Sequence, residues 1–410
     1  MPLRSHSTFV ELLCGCLISP EGWVTRVIAA IAPSKHWTSY YKLLERGSLR
    51  TLRLARQLLA LFIQVIAPDV LNFVLDDTLV PRHSTTAPGS EIRHDHSNKK
   101  NRPQYLLSQC WVTLGVSITG VSGTKLVLPI LSRLVPSTGN RNKLHIALAL
   151  VRGVASVTNI PTRVLFDSWF MRARLVLPLL ARNIQVLGQA RRDTALFDLP
   201  PPKSSGQRGR PRKYGDKLTP ARVEALAFTE KRLMLYGKEQ RVRWRSTVVL
   251  ARFLQGARVH AVWCSFYDEQ RNTWSKARLI LATEAALNAE EIIRLYTLRW
   301  GIEPLFHHLK RWWGVANLWQ QERTVLELWM QIRSMAWALV QMLHVVVEAA
   351  FPVGQVAPWR TRQPLTAGMV AQWLRMEFTG LAFAAGYDRK CRKFNLPEGR
   401  KDPRLQPQPS

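Results

Sequence analysis

Two apolar runs in this chain end on a carboxylate, and a third carboxylate sits among cations. "LNFVLD" closes on Asp76 and "TRVLFD" closes on Asp167. Short runs rich in Val, Leu and Phe read as buried strands, so these acids stand at strand ends. Carboxylates at the ends of adjacent strands would repel one another strongly unless a divalent cation lay between them. Glu303 would complete an all-oxygen donor set suited to Mg²⁺, with Mn²⁺ as a substitute. Two such ions, about 3.5 to 4 Å apart, activate a water or hydroxyl and stabilise the leaving oxygen in phosphodiester displacement. Asp77 follows Asp76 directly. Strand alternation turns only one of the two to a given face, so either could be the ligand.

Glu303 lies in "YTLRWGIEPLFHHLK", residues 296 to 310. At about 100° per residue, Tyr296, Arg299, Glu303 and Lys310 fall within an arc of roughly 60°. That makes one polar stripe on an otherwise apolar helix. Pro304 interrupts the picture, because proline lacks a backbone donor and biases the residue before it away from helical geometry. Either the helix kinks there or a new one starts at Pro304.

The elements that must carry these groups can be read outward from them. Residues 1–68 alternate apolar and basic residues at helical spacing, with breaks near Pro20, Pro33 and Pro68, and 51–66 reads as an amphipathic helix. Arg50, Arg53 and Arg56 could face a phosphate backbone there or form a solvated face. Strands are expected at 71–78, 110–118, 125–131, 162–167 and 183–189, with helices at 143–155 and from Ser168 as N-cap. The expected fold is therefore α/β, a mixed sheet flanked by helices behind a helical N-terminal domain. Residues 191–274 carry 18 basic against 8 acidic residues and read as a basic β-rich insertion. Asn288 caps the helix that leads to Glu303, with acidic residues in its first turn. The expected organisation is 1–68 helical and DNA-binding, 69–190 and 275–330 the two parts of a catalytic core, and 191–274 the insertion. A helical region follows at 331–385 and a disordered basic tail at 386–410.

Composition narrows the partner. The 410 residues are 47% hydrophobic, ample for a core, and 58 Lys plus Arg stand against 28 Asp plus Glu, a net charge of +30. So large an excess costs self-repulsion unless a polyanion neutralises it, and nucleic acid is the leading candidate. The five cysteines are scattered and odd in number, which argues against a disulfide framework and fits a reducing cytoplasm. No secretion signal opens the chain. The apolar stretch 335–351 is too polar for a membrane span and reads as a buried helix.

Other clusters carry less. "GQRGRPRKYG" places Arg208, Arg210, Arg212 and Lys213 in a loop that could line a minor groove or serve only as a linker. Glu91, His94, Asp95 and His96 suggest zinc, but they stand without a partner cluster in what reads as a polar loop. His307 and His308 read as neighbours of the acidic site rather than ligands. Trp244, Trp263 and Trp274 lie in the insertion, where stacking on a base competes with core packing.

The spacing of Tyr296, Arg299, Glu303 and Lys310 matches position for position the Y-x2-R-x3-E-x6-K signature of one branch of bacterial insertion-sequence DDE transposases, the insertion-sequence-four-like branch. Asp76-Asp77-Thr78 matches that branch's D-x-[ST] motif, and Asp167 resembles its second Asp, which ends a strand before a helix. The resemblance covers roughly residues 70–330. It implies an RNase H-like core with Asp76, Asp167 and Glu303 holding two Mg²⁺ ions, and it favours Asp76 over Asp77. It also implies that Tyr296, Arg299 and Lys310 contact DNA near the cleaved end. The expected activity is cleavage at element ends and joining to target DNA, by a homodimer on double-stranded DNA bearing terminal inverted repeats, with no membrane involved. The rivals are an element-derived DNA-binding protein without catalysis and a metal-dependent nuclease that does not join.

Overall fold

A computed structural model describes residues 3–95, 103–120, 123–136, 140–202, 210–347, 351–360, 362–388 and 393–394. The residues pack as two compact units, 52–308 in one and 1–51 with 309–410 in the other.

In chain order the helices are α1 (Leu3–Ile18), α2 (Val24–Ala29), α3 (Thr38–Arg46) and α4 (Thr51–Ile66). Strands β1 (Leu71–Pro81), β2 (Ser90–His94), β3 (Tyr105–Thr119) and β4 (Lys125–Leu134) follow, then α5 (Asn140–Ala155), β5 (Thr162–Phe166), α6 (Ala173–Leu180) and β6 (Gln185–Ala190). The middle of the chain gives β7 (Leu196–Phe197), α7 (Pro220–Glu224), β8 (Thr229–Leu235), β9 (Lys238–Ala251), β10 (Ala257–Asp268), β11 (Thr273–Trp274) and β12 (Arg278–Ala282). The last third is helical: α8 (Ala289–Thr297), a 3₁₀ turn at Leu298–Gly301, α9 (Ile302–Arg311), α10 (Arg323–Val347) and α12 in the pattern of the chain's remaining short helices, after α11 (Val353–Val356), at Ala367–Phe378.

All twelve of these strands form one mixed sheet, whose main path runs β2-β3-β1-β5-β6-β12-β10-β9-β7. β1, β5 and β6 are parallel, joined through α5 and α6, while β3 and β12 flank them antiparallel. The apolar runs are fully buried across β5 and at Phe73, Val74 and Leu75 of β1, as expected of strands covered on both faces. β3 is long enough to pair β2 through its first residues and β4 through the rest along one edge.

Three local readings change. Residues 90–94 are a strand paired to β3 rather than a loop. The helix expected from Ser168 starts at Ala173, because the Asp167 Oδ1 accepts from the Trp169 and Phe170 backbone N–H groups and holds 168–170 in a turn. The break near Glu303 falls upstream of Pro304, in the 3₁₀ turn. Pro304 then occupies the first turn of α9, where a missing N–H costs no helical hydrogen bond. Gly301 closes the turn where a Cβ would come within 2.8 Å of Val127 on β4.

At the start of β5, the Arg163 guanidinium donates to Glu284 and to Asn72 Oδ1 at 2.8 Å, tying β1, β5 and the segment after β12 together. Arg163→Met is expected to cost about 2 to 3 kcal/mol, since removing one partner strands a largely buried charge. Urea unfolding measures it, and an unchanged midpoint would refute it.

In the other unit, α1 packs against α10 and α12. The buried Arg333 donates to the carbonyls of Trp313 and Ser19, and Trp329 Nε1 donates to Gly22 O at 2.7 Å. α10 is apolar and long enough to cross a membrane, yet it is mostly buried within the protein, as a core helix would be. The basic tail beyond residue 394, Cys391 and His96 lie outside the described residues.

Candidate active site

The register of the parallel strands decides the geometry. β1 and β5 pair at a constant offset, Leu71 with Thr162 through Val74 with Leu165. The same offset carried two residues further brings Asp76 level with Asp167, which lies just past the end of β5 and close enough for its charge to act on Asp76. β5 and β6 pair to Phe166 with Gly188, so Gln189 is next in the same row. On the other side, Thr113 of β3 is the partner of Asp76 and Ser132 of β4 the partner of Thr113. A polar row thus crosses five strands in the middle of an apolar sheet.

The second acid of the Asp pair faces the opposite side. Asp77 binds Lys143 Nζ of α5, with both carboxylate oxygens at 3.0 Å, and accepts from the Cys110 thiol. Lys143 also sits 4.0 Å over the Trp169 ring. Asp76 instead faces the 3₁₀ turn, where Arg299 Nη1 lies 3.3 Å from its Oδ2. Arg299 Nη2 donates to Glu303 Oε1 at 2.8 Å, so one guanidinium bridges the helix acid and Asp76, which lies in the middle of β1 and not at its end as expected, because the strand pairs with β3 on to Pro81.

The electrostatics follow from crowding. Burial, with the charges of Asp167 and Asp77 added, pushes the Asp76 carboxyl up to about 8. Burial also raises Asp167, opposed by the backbone N–H groups of Phe170 and Trp169. For Arg299, burial works to lower the pKa, but Tyr296, Glu303 and Asp76 outweigh it and raise it. Tyr296 ends α8 with its ring 5.9 Å from the Arg299 guanidinium, and its hydroxyl approaches Gln189 Oε1 at 3.4 Å. Burial pushes that phenol up to about 12.

Asp76, Asp167, Tyr296, Arg299 and Glu303 are therefore gathered around one point. Lys310 lies in the last turn of α9, at the start of the other unit. Arg210, Arg212 and Lys213 lie exposed in a loop, and Lys213 meets the β9–β10 turn at Gly256 rather than the acidic cluster. Arg208 lies outside the described residues. His307 is exposed and His308 half-buried on α9. In β2, Glu91 pairs with Arg93 at 3.2 Å and His94 packs on Tyr105, which makes those side chains parts of the strand edge.

Among the described residues no three His, Cys, Asp or Glu groups stand together at metal-ligand spacing, and Glu303 is held on Arg299. The Asp76–Asp167 pair still has the chemistry of a divalent-cation site: oxygen donors, half-buried, and repelling one another so that a cation would relieve them.

Three neighbours escape the sequence. Lys143 and Gln189 arrive only through register and helix packing. Tyr236 occupies the β8–β9 turn with Gly237, both at positive φ (54° and 77°), and its ring meets Trp300 edge-on at 6.1 Å. Burial raises its phenol, which also lies in the fields of Arg299 and Glu303. The Tyr-Gly pair between two strand-like runs is the one signal that could have located this turn.

A family model described as DDE superfamily endonuclease matches residues 4–249, well over half of the chain. The match takes in Asp76 and Asp167 and ends before Tyr296. No curated protein matches the chain.

Proposed function

The chain belongs to the DDE superfamily of endonucleases, and from that premise we propose that it is a transposase of the insertion-sequence-four-like branch, cutting DNA at element ends and joining them to target DNA. One observation carries the reading: Asp76 of β1 and Asp167 just after β5 lie close enough for their charges to act on each other, and Arg299 links Asp76 to Glu303. The mixed sheet with helices on both faces is consistent with an RNase H-like core.

Divalent cations, which this family generally uses, would be held by Asp76 and Asp167 with Glu303 as a third donor, and would supply activation of the attacking oxygen and charge on the leaving one. The residues themselves account for the rest. Asp167 is oriented before any cation binds, because two backbone N–H groups hold its Oδ1. Arg299 neutralises part of the acidic charge in the resting protein, and on release from Glu303 it can fork onto a phosphate. Tyr296 backs the Arg299 guanidinium with its ring, limiting where that cation can go. Lys310 adds a second cation for the DNA backbone, and the loop of Arg208, Arg210, Arg212 and Lys213 adds phosphate contacts elsewhere. Two DNA ends require two active sites, so the working form is a homodimer on DNA. The net charge of +30 suits such an assembly.

The test uses the full chain with duplex DNA carrying the sequences that flank its gene, and Mg²⁺. Joined products support the transposase. Cleavage without joining converts the assignment to a nuclease, and binding with neither reaction overturns both. Inverted repeats bracketing the gene would supply the substrate for the assay.

A further inference from the structure

The side of the sheet turned away from α8 holds a second basic site. On β10, Cys264 shares a face with Trp244 of β9 and Arg278 of β12. That face belongs to α8, whose Glu290 pairs with Lys231 at 3.2 Å on the same side of β8. Trp263 therefore points the other way, in a cross-strand row with Arg245 and Leu279, and Ser265 with Arg243 forms the next row. The acidic row lies on the α8 side, because Gln189 reaches Tyr296 of α8.

Residues 192–194 and the segment around α7 wall these rows into a cavity of about 550 Å³. Arg192, Arg243, Arg245 and Lys276 line it against one carboxylate, Glu224, and Trp263 and Phe228 add aromatic faces. Phe228 is 60% exposed, a cost that a purely structural role does not explain. Arg241, Arg243 and Arg245 alternate along one face of β9, about 6.8 Å apart. Each is backed by a ring: Arg241 lies 4.9 Å from Tyr267, Arg243 4.4 Å from Trp274, and Arg245 5.6 Å from Phe228. Arg241 also donates to the Glu230 carboxylate, which leaves Arg243 and Arg245 to face the cavity. Arg245 is further fixed by donating to Leu226 O at 2.9 Å.

A row of ring-backed arginines beside a cavity with aromatic walls suits a strand whose bases are free. The cations track successive phosphates, and the aromatic faces take a base. A duplex keeps its bases stacked inside and offers this cavity only its backbone. We propose that the cavity binds an unpaired nucleic-acid strand, with Arg243 and Arg245 on its phosphates and one base seated against Phe228 and Trp263. This is a separate site, on the opposite side of the sheet from the acidic cluster, and it needs no divalent cation.

Fluorescence anisotropy with a labelled thymidine oligonucleotide in the presence of a chelator tests it. The full chain is compared with a Phe228→Ala/Arg243→Ala variant, both positions being exposed, with thermal unfolding to verify the fold. Single-strand affinity is expected to fall about tenfold or more, while affinity for a duplex of equal length changes little. Unchanged single-strand binding overturns the proposal, and so does an equal loss for both forms, which would mean a general backbone surface. Displacement of the oligonucleotide by inorganic phosphate alone would also overturn it, by reducing the cavity to an anion pocket. Because the readout is binding without metal, loss of DNA cleavage in the earlier assay would leave this result standing.

Discussion

Asp76→Ala and Asp167→Ala are each expected to lower DNA cleavage at least about a hundredfold, since even groups one contact removed from a metal ligand cost about 10 to 100-fold. Asp76 is fixed by its pairing within β1 and Asp167 by the turn its Oδ1 closes after β5, so neither can be replaced by a neighbour without moving the backbone. Asp77 supplies the internal control. It faces α5 and is engaged by Lys143, so Asp77→Ala should lower stability through the abandoned lysine and reduce cleavage far less than Asp76→Ala. Single-turnover cleavage of end-labelled DNA by the folded variants measures all three. If Asp77→Ala is inactive while Asp76→Ala cuts normally, the assignment of the β1 ligand is wrong.

Stability without divalent cations should depend on pH in a direction set by Asp76. The folded protein holds the Asp76 proton up to about pH 8, whereas the unfolded chain releases it near the ordinary value of 3.8. Between these limits the unfolded state binds fewer protons, so folding stability falls as pH rises from about 4 to about 8. Asp76→Asn keeps the shape and removes the titration. In chelator at pH 8 the variant should therefore melt a few degrees above wild type, about 1 kcal/mol corresponding to roughly 2–4 °C for a domain of this size. The gap should close toward pH 4. Added Mg²⁺ should raise the wild-type transition more than the variant's, by binding the folded state. A gap that is absent at pH 8, or that widens on acidification, would sink this account of the buried acids.

How much of this could be read from residues alone differs from element to element. The apolar runs ending on Asp76 and Asp167 were legible as strands because burial on both faces demands a continuous hydrophobic segment. The Asn288 N-cap was legible because a cap joins residues only three apart, and the structure adds the reciprocal bond to Glu291 that completes a capping box. The reading of residues 90–94 as a loop failed because an edge strand can carry charge, as Glu91 and Arg93 do here. Pro304 pointed to a break but not to its position. The turn at Leu298–Gly301 tightens where it packs on β4, and the proline then falls harmlessly in the first turn of α9.

The sequence by itself determined the alternation of helix and strand, the excess of positive charge, and the residue types that could hold a cation or meet a phosphate. Those are local properties, written in spacings of two to four residues. Tertiary structure alone decided which of Asp76 and Asp77 faces Arg299, that Gln189 and Tyr236 join that neighbourhood, and that Lys143 guards the other face. Each depends on strand register or helix packing between residues dozens to hundreds of positions apart. A one-residue slip in that register would exchange the faces of every side chain on the strand. What prevents the slip is the burial of the whole sheet at once, a cooperative property that no short window of sequence contains.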